Sequence, residues 1–162
     1  MKYLKTLESL KEDKEELEQF RETIKMIFVD LIDEGFSPQI LLQQRVKSRN
    51  ISLSCINDYT TRLADSYNQC NVVYIRLVRN KRDGDLGPIY INNESEEFKH
   101  KITDCFETLL ALLDRRWNGA KIEKIVRQDA VTANDTYCHK LDERVWSRDF
   151  ISIAITIVKK EI

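Results

Sequence analysis

The spacing of apolar side chains along this chain changes from helical to alternating, and the change divides it. From Lys2 to Glu34, Leu10, Leu17, Phe20, Ile24, Ile27 and Leu31 follow one another at helical spacing, interrupted once at Asp13, with no Gly or Pro in between. That predicts one long helix with a narrow apolar seam. Its charged middle, Lys11-Glu12-Asp13-Lys14-Glu15-Glu16, places opposite charges a turn apart and suits a solvated face. Tyr3, Leu7 and Leu10 lie at its outer end, where an isolated helix would leave them wet, so they are candidate interface residues.

Gly35 suits a helix C-cap, and Ser37-Pro38 reads as the start of another helix. Ile40, Leu41 and Val46 mark that short helix. After Asn50, Ser52 or Ser54 caps a second one on which Ile56, Tyr59, Leu63 and Tyr67 share a face. Residues 37–70 are therefore expected as a helical hairpin.

From Asn71 the period is two. Val73, Ile75 and Leu77 alternate with Tyr74, Arg76 and Val78 in a strand, and Ile89-Tyr90-Ile91 is expected to return as its hairpin partner across a loop containing Gly84 and Gly87. Phe98, Ile102, Cys105, Phe106, Leu109, Leu112 and Leu113 then share one helical face, with Arg115-Arg116 at its C-terminal end and Gly119 as the stop. Ile122–Val131 reads as a strand. A last strand is expected from about Val145 to Lys159, with Ile151, Ile153, Ile155 and Ile157 facing the core. Its other face, Phe150, Ser152, Ala154 and Thr156, is half polar and suited to meeting another subunit. The expected class is α+β: a long N-terminal helix (1–36) and a helical hairpin (37–70), followed by a mixed or antiparallel sheet covered by one amphipathic helix (71–162).

Composition narrows the chemistry. A chain of 162 residues with 42% hydrophobic and 33% charged residues carries enough apolar surface for one core without disulfide or metal. With 26 Lys and Arg against 27 Asp and Glu, the net charge of -1 gives no global attraction to nucleic acid or to an anionic membrane. The longest apolar stretch, Phe150 to Val158, is far short of the roughly 20 residues of a membrane span, and the acidic N-terminal stretch lacks the apolar region of a signal peptide. The expectation is a soluble protein of a reducing compartment. Cys55, Cys70, Cys105 and Cys138 form no C-x-x-C pair, and Cys138-His139 would need further ligands to hold a metal. No Gly-rich phosphate loop, G-x-S-x-G elbow or H-E-x-x-H is present, and Asp83-Gly84-Asp85 lacks the remaining ligands of a calcium loop. No catalytic, cofactor-binding or metal-binding residue is assigned. The densest cluster of positive charge is Arg76, Arg79, Lys81 and Arg82, a candidate for facing nucleic acid or a lumen.

Two resemblances bear on function. Leu42 to Arg62, with Ile51, Ile56 and Tyr59 at packing positions, resembles a helix-turn-helix, which would imply a DNA-binding regulator. The order helix, hairpin, amphipathic helix and two strands, with Arg144-Val145-Trp146-Ser147-Arg148-Asp149-Phe150-Ile151 leading the last strand, resembles the phage tail-terminator and head-tail (neck) completion proteins. That resemblance implies a non-enzymatic homo-oligomer, usually a hexameric ring, in the virion after assembly in the host cytoplasm. It would contact neighbouring virion proteins and need no cofactor, and the Arg76, Arg79, Lys81 and Arg82 cluster, repeated around such a ring, would touch DNA weakly and without reading sequence. Trp146, Arg148 and Phe150 join Tyr3, Leu7 and Leu10 as candidate interface residues. A small enzyme of unknown class is the further alternative.

Overall fold

The computed structural model describes residues 7–46, 49–52, 70–80, 91, 96–128, 135–138, 140–141, 143–146 and 151–160. The N-terminal seam forms α1 (Leu7–Ile27), and its apolar side is covered by the body of the same chain: Leu17, Phe20 and Ile24 are buried. The expected single helix breaks at Phe28, whose N–H donates to the Lys25 carbonyl three residues back at 3.0 Å; α2 (Val29–Asp33) continues the path. Gly35, at φ +97°, then turns the chain into a strand.

That strand is the largest departure from expectation. Residues 36–46 and 49–52 are extended, not helical: β1 (Phe36–Val46) and β2 (Arg49–Ser52) pair antiparallel. The expected helix over Ile40, Leu41 and Val46 is replaced by a strand whose even-numbered residues share a face with the core, Phe36 and Leu42 being fully buried. Pro38 is accommodated because β2 pairs only with residues 43–46, so the first half of β1 has no second ladder partner among the described residues. The helix-turn-helix expectation falls with the hairpin, since its first helix and its turn are strand; the second helix lies outside the described residues.

β3 (Val72–Arg79) pairs with β1 on one side and β6 (Ser152–Lys159) on the other over almost its whole length. Both its edges are taken, and Ile91, expected in a hairpin partner, is instead buried in a helical turn; Ile89 and Tyr90 lie outside the described residues. α3 (Glu96–Trp117) is as expected, burying Ile102, Phe106, Leu109, Leu113 and Trp117. It ends at Asn118 and Gly119, with φ values of 54° and 135°, where the Gly119 N–H donates to the Asp114 carbonyl at 2.9 Å. β4 (Ala120–Gln128) and β5 (Asp135–Cys138) complete an antiparallel sheet of order β2-β1-β3-β6-β4-β5. The last strand starts later than expected, because Glu143–Trp146 is a 3₁₀ turn, not strand. Arg127, buried on the helix side, donates to the Val145 carbonyl at 2.8 Å and ties that turn to β4.

The class is α+β in two layers. α1 and α3 pack on one face of the sheet, where Phe28 and Phe106 meet edge to face at 5.2 Å and the Arg116 guanidinium lies 3.9 Å from the centre of the Phe20 ring. No described helix packs on the other face. No helix among the described residues is long and apolar enough to cross a membrane.

Candidate functional site: the helix-free face of the sheet

Strand register defines this face. Across its centre run Tyr74, Thr156 and Lys124 in one row, Arg76, Ala154 and Val126 in the next, and Val78, Ser152 and Gln128 in the third. β6 supplies the floor with small residues. Ser152, Ala154 and Thr156 are buried, because the longer side chains of β3 and β4 stand on either side of them. The half-polar side of β6, expected to meet another subunit directly, is therefore the bottom of a groove of about 330 Å³ lined by Tyr74, Arg76, Lys124, Val126 and Gln128.

The small floor lets side chains from β3 and β4 meet above β6. Arg76 Nη2 donates to Gln128 Oε1 at 2.8 Å, and Ser152 Oγ donates to the same oxygen at 3.2 Å. At the other end, Arg45 on β1 reaches Glu123 on β4, beyond both β3 and β6: Nη1 meets Oε2, and Nη2 meets Oε1 at 2.7 Å. A β-bulge permits this contact. The ladder skips from Ile122 to Lys124, so Glu123 is an extra residue, and Lys121 and Lys124 share the helix-free face although three positions apart. Arg45 is itself held, its Nε donating to Asn50 Oδ1 at 2.9 Å and its backbone N–H to Asn71 Oδ1 at 2.7 Å. Beside this pair is a concavity of about 880 Å³ lined in part by Lys121, Lys159 and Lys160. Among the described residues no carboxylate lies within ion-pair distance of Lys121, Lys124, Lys159 or Lys160.

The paired Arg45 guanidinium holds the Glu123 carboxyl below its usual range, against a smaller opposing effect of burial. A carboxyl with a lowered folded-state pKa stabilises the fold above its unfolded pKa, and that contribution disappears as the pH falls through the folded value. Both side chains keep about a third of their surface exposed, at 33% and 32%, so screening limits the gain. Glu123→Gln is expected to cost about 0.5–1 kcal/mol at neutral pH, and urea titrations of variant and wild type should converge as the pH falls through the lowered folded-state value of Glu123. A gap independent of pH would contradict the assignment.

Charge is segregated between the layers. The six described strands carry eight basic and two acidic residues, whereas the three described α-helices carry eight basic and fourteen acidic ones. The near-zero total hides a sheet of net +6 beneath helices of net -6.

Two members of the expected basic cluster, Arg76 and Arg79, lie on opposite faces of the sheet. Arg76 lies on the helix-free face, whereas Arg79, three positions on and in register with Phe36, belongs to the opposite one. Lys81 and Arg82 lie outside the described residues, as do Tyr3, Arg148 and Phe150. Leu7 and Leu10 are in α1, but their side chains are not described. Trp146 is half-buried against the core. Glu123, Lys121 and Lys124 were not singled out in the sequence. Burial pushes the Cys70 thiol up to about 11, and burial together with the nearby Asp30 and Asp104 does the same for Cys105, so both are neutral at physiological pH. No cluster of three or more His, Cys, Asp and Glu that could hold a metal occurs among the described residues. No family model matches the chain, and neither a curated protein nor a solved structure matches it. What the fold defines is a two-layer α+β protein with an acidic helix layer and a basic, helix-free sheet face.

Proposed function

We propose that this protein is a non-enzymatic assembly protein that works by self-association. The particular form we propose is a phage tail or neck component of the tail-terminator kind, closing into a homo-oligomeric, hexameric ring in the virion. The observation that carries this is the helix-free face. Arg45 and Arg76 are each fixed by an acceptor two or more strands away, which makes a preorganised polar surface around a small-residue floor. Such a surface binds without a large ordering cost. An antiparallel sheet tolerates water on one face, so openness alone would not support the reading; the fixed arginines, and lysines without an ion pair among the described residues, do. Neighbouring virion proteins are the further partners, and a positive lumen would draw duplex DNA weakly through its phosphates.

Native mass measurement of the purified full chain tests this. The expected result is one closed species whose copy number stays constant on dilution. A monomer at every concentration would contradict it.

A further inference from the structure

We propose that copies join face to back, the acidic outer stripe of α1 on one copy docking on the cationic helix-free sheet face of the next. The proposal rests on the self-association reading, from which it takes its occupant, and adds the surfaces and their chemistry.

The stripe consists of Glu15, Glu18, Glu22 and Met26. They recur at helical spacing on the side of α1 opposite Leu17, Phe20 and Ile24, and all four are exposed. Glu18 is paired with Arg21 at 3.2 Å, while Glu22 has no ion-pair partner among the described side chains. Met26, 63% exposed, and Val29 at the start of α2, 36% exposed, are the large apolar side chains that the described residues leave in water. Acidic groups beside an apolar end make an amphipathic docking edge, not merely a solubilising one.

The opposing surface complements it. Lys121 and Lys124 are displayed together by the bulge, Lys159 and Lys160 border the adjoining concavity, and Tyr74, Leu41 and Val126 give the same face half-buried apolar area. A second copy supplies the opposite charge at equal concentration: Arg45, Arg76, Lys121 and Lys124 share the sheet face, and Glu15, Glu18 and Glu22 share the stripe. Nucleic acid would satisfy the lysines but leave the acidic stripe, Met26 and Val29 unexplained. The two surfaces lie on opposite sides of a two-layer body, so the contact is heterologous: it closes into a ring where the rotation between copies allows, and otherwise extends.

Two double variants and their mixture test this. Lys121→Glu/Lys124→Glu reverses the sheet surface and Glu15→Lys/Glu22→Lys the helix surface, all at exposed positions. Each variant alone should melt like wild type yet associate at least tenfold more weakly in sedimentation velocity, and raised salt should dissociate the wild type. Mixed in equal amounts, the two variants should assemble again, because each carries the surface the other now requires. Variants that assemble like wild type, or a mixture that stays dissociated, would overturn the inference while leaving self-association standing. Unchanged assembly by the sheet variant with loss of duplex DNA retention would overturn it in favour of a nucleic-acid face. A wild type that is monomeric at all concentrations and low salt would overturn both.

Discussion

Leu109→Asp is expected to leave the chain unfolded at room temperature. Leu109 is fully buried on the side of α3 that covers the sheet, among Phe106, Leu113 and the isoleucines of β6. A carboxylate there would lose its hydration without gaining a partner. That cost, on the order of 5 kcal/mol or more, is comparable with the whole stability of a domain. Thr108→Asp, on the exposed side of the same helix, provides the control and should melt within a few degrees of wild type. Far-UV circular dichroism distinguishes the two; a Leu109→Asp variant with native melting would contradict the packing of α3.

Phe28→Ala is expected to destabilise the whole molecule by about 3–5 kcal/mol. Phe28 sits at the joint between α1 and α2, fully buried, with its ring edge to face on Phe106. Truncation removes the buried area, the ring pair and the contact that fixes the N-terminal helices to α3. Because this helix is part of the core, loss of helix and change in tryptophan fluorescence should occur in one transition. Helix loss at low denaturant, followed by an unaltered main transition, would mean that the N-terminal segment is an independent arm.

The elements legible in the sequence were those whose apolar spacing was long and unbroken. α3 showed seven apolar positions at helical spacing, and β6 alternated from Ile151 to Ile157, so both followed from period alone. β1 was hidden because Gly35, Ser37 and Pro38 look like helix punctuation, and the run Ile40-Leu41-Leu42 has no period. What made it a strand is the pairing with β3 more than thirty residues on. The separation of Arg76 from Arg79 could have been read from the two-residue period of β3. The site itself could not. Arg45 and Glu123 are 78 residues apart, and the bulge that joins them has no local sequence signal. Net charge averages over two layers whose difference appears only when the elements are stacked.

Zero-length cross-linking tests the central claim most directly, since it reports which surfaces touch in the assembled protein. Equal amounts of isotopically light and heavy protein, treated with a carbodiimide, form amide bonds between adjoining carboxylates and amines, and only contacts between copies give mixed-label peptides. The account predicts mixed-label links from Glu15 or Glu22 to Lys121, Lys124, Lys159 or Lys160. Mixed-label links that join other surfaces and leave these lysines unmodified by a neighbour would contradict it.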